Sequence, residues 1–225
     1  MMKNQIEKFM TPRLYALASG IGRGASLADI GTDHAYLPIY LAQNGIIKSA
    51  VAADINRGPL LRAEENIRDF GLQEKIKTVL SNGFLSVDEN SFDTGVVAGM
   101  GGLLISEILK RAPRGKRYIL QPMKSSPDLH EFLFLNGFRI ENETLAKEGN
   151  KFYNIISVCD GEKKPFKPID LYLNDCLKED PLFEEYKKHL LKKIKKKTDG
   201  ILKSLNPDTG LLKYFSALSE QIANY

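Results

Sequence analysis

The stretch Leu27-Ala-Asp-Ile-Gly-Thr-Asp-His-Ala-Tyr-Leu-Pro-Ile39 decides the fold. Residues 27–30 are a short apolar run that reads as a buried strand, and Gly31 ends it. A helical pattern follows over 34–44, with Pro38 tolerated in its first turn. Strand, glycine turn and helix together open a β-α unit. The glycine lets backbone approach a ligand closely, and the helix start offers free N–H groups to an anionic group. Asp29, Asp33 and His34 make this junction more polar than a plain connection requires. Asp33 would equally serve as a helix cap, so the segment by itself leaves both readings open.

The same alternation continues outward. Strands are expected at 49–54, 76–80, 92–98 and 117–121, and helices at 58–70, 103–112 and 127–136. Residues 138–147 and 152–159 read as two further strands joined by Glu148-Gly-Asn150, a hairpin signal. Five β-α units and a hairpin predict an α/β fold: a doubly wound, mostly parallel sheet with one antiparallel strand. Such sheets hold ligands beyond the carboxyl ends of their strands.

Composition agrees. The 225 residues are 43% hydrophobic and 27% charged, ordinary values for a globular chain. Two cysteines, Cys159 and Cys176, provide neither a disulfide framework nor a zinc knuckle, and no metal site is expected. The first thirteen residues lack the apolar core of a signal peptide, and the longest apolar stretch, 96–109, is too short to span a membrane. The expectation is a soluble, cytoplasmic protein. Its net charge of +4 is uneven: eight lysines lie between Lys187 and Lys203, opposed there only by Asp199. The polar, proline-bearing stretch after residue 160 divides the chain into a 1–162 domain and a 163–225 extension.

The expected strand ends carry the unusual residues. Asp54 ends the second strand 23 residues after Gly31, the place and spacing of an acid that holds a ribose. Ser81-Asn82-Gly83-Phe84 follows the third strand, Ala98-Gly99-Met100-Gly101-Gly102 the fourth, and Gln121-Pro122-Met123 the fifth. Each has a bland counterpart as an ordinary cap or turn; their shared edge is the argument. His130 and His189 read as solvated helix residues. No Gly-x-Ser-x-Gly and no phosphate-binding GxxxxGK[ST] occurs. A nicotinamide dehydrogenase would want G-x-G-x-x-G for its diphosphate. Here Thr32 and Asp33 follow a lone glycine. A carboxylate there repels a diphosphate but suits S-adenosylmethionine (SAM), which is cationic at sulfur and carries an α-ammonium.

Residues 27–39 closely resemble the start of the bacterial tRNA (adenine-22-N1)-methyltransferases, the TrmK family, as do Ala53-Asp-Ile55, Ser81-Asn-Gly83, Ala98-Gly-Met-Gly-Gly102 and Gln121-Pro122. The resemblance implies a class I SAM-methyltransferase (Rossmann-like) sheet with an antiparallel final strand, plus a C-terminal α-helical hairpin. It also implies SAM as methyl donor and N1 of a D-arm adenine in tRNA as acceptor. Carried over, Gly31, Thr32, Asp33, His34, Asp54, Ile55, Asn82 and Gly83 contact the cofactor. Asp29 is an active-site carboxylate, and Met100, Gly101 and Gly102 lie beside the methyl group. Met123 departs from the polar residue expected after Gln-Pro. Tyr36 or Phe84 is the candidate stacking partner of an extruded base.

In the tail, Phe183, Tyr186, Leu190, Ile194, Ile201 and Leu205, then Leu211, Phe215, Leu218 and Ile222, form two stripes at helical spacing. They predict an antiparallel helical hairpin. Lys192, Lys193, Lys195 and Lys196 fall off the stripe. They form either a solvated face or a phosphate-binding face for RNA, with Arg13, Arg23 and Arg57 as further phosphate contacts near the pocket. A SAM enzyme acting on another RNA or a small molecule, and a non-enzymatic RNA-binding protein, remain alternatives.

Overall fold

Strand β1 (Ala25–Ile30) is almost wholly buried along its length, as a central parallel strand covered on both faces must be. In the computed structural model, which describes residues 6–225, it is the third strand of a seven-stranded sheet. The other strands are β2 (Ile47–Asp54), β3 (Ile76–Leu80), β4 (Thr94–Gly101), β5 (Arg117–Lys124), β6 (Phe138–Glu148) and β7 (Lys151–Asp160), in the order β3-β2-β1-β4-β5-β7-β6. The pairs among β1 to β5 are parallel, and β7 runs antiparallel to both β5 and β6. The order reverses at β1, so the crevice beyond the ends of β1 and β4 is the switch point.

Helices α1 (Pro12–Ser19), α2 (Tyr36–Gln43), α3 (Arg57–Asp69), α4 (Gly102–Leu109) and α5 (Ser126–Leu135) connect or flank the strands. Two apolar clusters fill the space on either side of the sheet. One is built on Leu17, Leu27, Ile39 and Leu41, the other on Phe84, Ile105, Tyr118 and Leu129. The signal-peptide reading rests in part on residues 1–5, which lie outside the described residues. Among the described residues no helix is long and apolar enough to cross a membrane, and no group of His, Cys, Asp or Glu is placed to hold a metal.

Helices α6 (Phe183–Leu202) and α7 (Thr209–Ala223) form the expected hairpin. Phe183 meets Tyr225 at one end and Lys197 lies over Phe215 further along, so the two helices run antiparallel. Phe183, Tyr186, Leu190, Ile194, Leu218 and Ile222 are buried with Leu145 of β6, which joins the hairpin to the sheet. The first stripe ends earlier than its spacing suggested: Leu205 is fully exposed in the turn between the helices.

His130 corrects the solvated reading given to it. It is 2% exposed, with Nε2 3.0 Å from Glu143 Oε2 and Nδ1 2.8 Å from the Ser126 carbonyl. Burial pushes the ring's pKa down, but the Glu143 carboxylate and the Ser126 carbonyl outweigh it and hold the pKa above the ordinary value. Asn154 and Asn174 donate to the same carboxylate, and the Tyr186 hydroxyl of α6 donates to Asn154. This buried polar network ties the tail to the sheet. One histidine in a helical pattern could not reveal it, because its partners lie on other elements.

Candidate functional site

A cavity of about 610 Å³ opens at the carboxyl edge of the sheet. Its lining draws on the ends of β1, β2, β3 and β4: Asp29 to His34, Asp54 to Asn56, Ser81 to Gly83 and Ala98 to Met100. Four strand-end segments far apart in sequence therefore share one pocket, as the parallel topology dictates. Phe9, Arg13, Tyr36 and Leu104 also line it.

The glycine turn is pinned in place. Gly31 has φ +75, and its N–H and that of Thr32 both donate to the Ala53 carbonyl at 2.8 and 3.0 Å. A Cβ on Gly31 would overlap Met100 Cε. Asn66 of α3 donates to the His34 carbonyl at 2.9 Å, and Arg62 lies 3.5 Å from Asp33. Helix α2 begins at Tyr36, not near His34, because Asp33 and Ala35 adopt left-handed backbone. Asp33 therefore caps nothing: α2 has Ala35 at its N-cap and no side-chain cap bond.

Asp29 is 6% exposed and accepts a 2.6 Å hydrogen bond from the Thr32 hydroxyl. Burial raises its carboxyl pKa to about 6, the Thr32 bond opposes that rise, and the nearby Asp54 carboxylate adds to it. Asp54 is buried, and its Oδ1 accepts from the Asn56 N–H at 2.8 Å. A carboxylate has further lone pairs, so Asp54 retains acceptor capacity towards the pocket. Ser81, buried, accepts from the Ser86 N–H and donates to the Gly83 carbonyl, which shapes the loop that presents Asn82.

Two sequence candidates stand apart from this lining. Gly102 is buried against α5: a Cβ there would strike the Ser125 carbonyl, so its place is one of close packing. Gly101 lies against the Lys124 side chain. Phe84 is corrected as a stacking partner, since it is 4% exposed and packed on Phe92 and Tyr118 inside the core. Tyr36 does face the pocket, in a column of parallel rings with Phe9 at 4.5 Å and His34 at 5.0 Å. Arg23 is also corrected. It precedes the first residue of β1, at the amino end of the sheet and opposite the pocket. Arg57 opens α3 just past the pocket residue Asn56 and is exposed.

A second groove, of about 950 Å³, runs between α6 and the tip of the β6–β7 hairpin. Lys192, Lys193, Lys195 and Lys196 line it together with Lys147, Lys188 and Lys203. His189 also lines it; burial and the ammonium groups of Lys193 and Lys192 hold its pKa below the ordinary value. The hairpin tip lies at the carboxyl edge, because β6 runs parallel to β5. Arg13 joins the first cavity to the hairpin tip: it lines the cavity, and its backbone N–H donates to Glu148 Oε1 at the tip, 3.1 Å away.

The strand order, the single reversed strand and a nucleoside-sized pocket with an acid at the end of β2 define a Rossmann-like methyltransferase domain. A protein-family profile for a methyltransferase domain matches residues 10–156. The tRNA (adenine(22)-N(1))-methyltransferase of Bacillus subtilis is 34% identical over 158 residues, which is 68% of this chain and 66% of that protein. The chain thus spans just under two-thirds of that relative's length. A Streptococcus pneumoniae protein provisionally assigned as a tRNA (m1A22) methyltransferase superposes with a TM-score of 0.85 at 31% identity, covering 96% of this chain and 98% of that one. Mycoplasma capricolum TrmK, solved with S-adenosyl-homocysteine, gives 0.81 at 29% identity over 96% and 97%. The chain belongs to the methyltransferase-domain family and, within it, to the TrmK-like group.

Proposed function

We propose that this chain transfers the methyl group of SAM to N1 of an adenine in tRNA, position 22 of the D-arm. The observation that carries the reading is the convergence of Gly31, Asp54, Asn82 and the buried Asp29 on one carboxyl-edge pocket. The bare Gly31 cradle and the acceptor capacity of Asp54 fit an adenosine ribose, and carboxylates at 29 and 33 fit a cationic sulfur and an α-ammonium better than a diphosphate. Similarity to relatives named for m1A22 formation supports the acceptor.

When bound, SAM supplies an electrophilic methyl group. Asp54 would accept from the ribose hydroxyls, and Ile55, Asn82 and Gly83 would border the adenine. Thr32 and His34 would flank the methionine end, with Met100 beside the reacting methyl. Adenine N1 has an in-plane lone pair, so no proton leaves before attack and the chain need only align the reactants. The product ring is cationic, and Asp29 lies in the pocket as its counter-charge. The target base must leave its stack at a cost of a few kcal/mol, and the Phe9–Tyr36–His34 column offers it a flat surface. Incubation with labelled SAM and bulk tRNA, followed by nucleoside analysis, should yield 1-methyladenosine. A different methylated nucleoside, or none, rejects the reading.

Residues 163–225 are proposed as the RNA-holding part, with Arg13 and Arg57 adding phosphate contacts. The lysine groove shares the carboxyl edge with the pocket, so one RNA could touch both. Replacing Lys192, Lys193, Lys195 and Lys196 together by Ala should weaken tRNA binding and flatten the plot of log affinity against log salt by up to about 3.6, at roughly 0.7–0.9 per lost phosphate contact. Titrations at several salt concentrations check this, and an unchanged slope removes the groove from the interface.

A further inference from the structure

Gln121 stands near the carboxyl end of β5 with its side chain completely buried. Its single carbonyl oxygen, Oε1, accepts two hydrogen bonds: from Arg13 Nη1 at 2.9 Å and from the Gly99 N–H at 3.1 Å. One buried acceptor therefore ties the first turn of α1 to the irregular carboxyl end of β4. Gly99 has φ +78, and the bond from its N–H fixes the Ala98–Gly99 peptide, one residue before Met100. Arg13 is held by Gln121 through its guanidinium, which also lies 5.9 Å from the centre of the Tyr153 ring, and by Glu148 through its backbone.

Arg13 is half-buried on the pocket wall. Among the described residues it forms no ion pair. That combination is informative because a carboxylate would both orient an arginine and neutralise it. The neutral amide of Gln121 orients the fork and leaves its charge for an anion. The location names the anion. The residues suited to a nucleoside, Asp54 and Asn82, lie at the ends of β2 and β3, whereas Arg13, Gln121 and Gly99 lie on the β4–β5 side of Gly31, where an acceptor must enter.

Resting on the reading of the chain as an RNA methyltransferase, we infer that Gln121 is a positioning residue. It aims Arg13 at a phosphate flanking the target nucleotide and holds the Gly99 peptide so that Met100 keeps its place beside the reacting atoms. In the full-length protein, Arg13→Ala and Gln121→Leu should each reduce the salt slope of tRNA binding by about one and raise KM for tRNA roughly tenfold. SAM affinity should stay within about twofold of wild type. Gln121→Leu should also lower kcat by roughly 10- to 100-fold through misplacement. Gln121→Glu keeps an acceptor for both donors but neutralises Arg13, so kcat should recover while KM stays raised; a residue that merely fills space would not split the two constants. A wild-type salt slope and KM in Gln121→Leu overturn the inference, and so does a kcat for Gln121→Glu as low as that of Gln121→Leu. Should the Leu variant not fold, Arg13→Ala and Gln121→Glu decide it by the same readings. If wild-type protein formed no 1-methyladenosine, the function reading would fall, while the salt slopes, read from binding alone, would still judge Arg13 and Gln121.

Discussion

Asp29→Asn is expected to lower turnover by roughly 100- to 1,000-fold, the size seen when one preorganised electrostatic partner of a developing charge is removed, and to make the protein more stable. Both effects share one cause. The carboxylate is buried at the end of β1, where its pKa is pushed to about 6 by burial and, to a smaller extent, by Asp54. Methyl transfer moves one positive charge from the SAM sulfur to the adenine ring, so Asp29 favours the transition state over the ground state by lying nearer the acceptor ring than the sulfur. For stability the sign is reversed. The folded-state pKa lies above the unfolded value, so the folded state holds the proton more tightly. The contribution of Asp29 is therefore greatest below about pH 4 and is lost as the pH rises through about 6. At neutral pH the buried charge costs on the order of 3 kcal/mol. Asparagine keeps an oxygen for the Thr32 hydroxyl without that charge, and Tm should rise by several degrees. The wild-type kcat/KM should fall about tenfold per pH unit below about pH 6, and the Asn variant should lack that limb. Turnover measured as 1-methyladenosine at saturating SAM, alongside thermal melts, checks the pair. A wild-type kcat in the variant, or an acidic limb that persists, removes Asp29 from the chemistry.

Much of this site can be read from strand ends because a parallel sheet collects them at one edge. Residues 27–39 show a buried run, a glycine and polar residues in the order that a β-α crossover needs, and Asp54 and Asn82 recur at equivalent places. Less legible was anything set by partners distant in sequence. Helix α1 spans only Pro12–Ser19, too short for its periodicity to stand out, yet it brings Arg13 to the pocket. Phe84 follows a strand as Asn82 does, but its ring turns inward against Phe92 and Tyr118. Arg23 lies close in sequence to the glycine turn but at the wrong end of β1, a distinction that charge alone does not make. Gln121 could be noted as polar at the sheet edge. That it is a buried acceptor for two donors depends on residues 108 and 22 positions away.

Gly31→Ala should weaken SAM binding by roughly 100-fold, about 2.7 kcal/mol. At φ +75 a side chain costs about 1–2 kcal/mol of backbone strain. The turn cannot relax cheaply, since rotating it would break the two hydrogen bonds to the Ala53 carbonyl. The new Cβ would also overlap Met100 Cε. Methionine is flexible enough to move aside, but it would move within the pocket that the cofactor and the acceptor base must share, so turnover should fall beyond the loss of affinity. Gly45→Ala separates this local effect from a general one. Gly45 also has positive φ, +63, but nothing lies within 4 Å of its Cβ position, and it does not line the pocket. That variant should lose comparable stability while binding SAM normally. Calorimetric titration of both variants with SAM is decisive: equal weakening would mean that backbone strain loosens the whole domain, and wild-type affinity in Gly31→Ala would mean that the cofactor does not press against this turn.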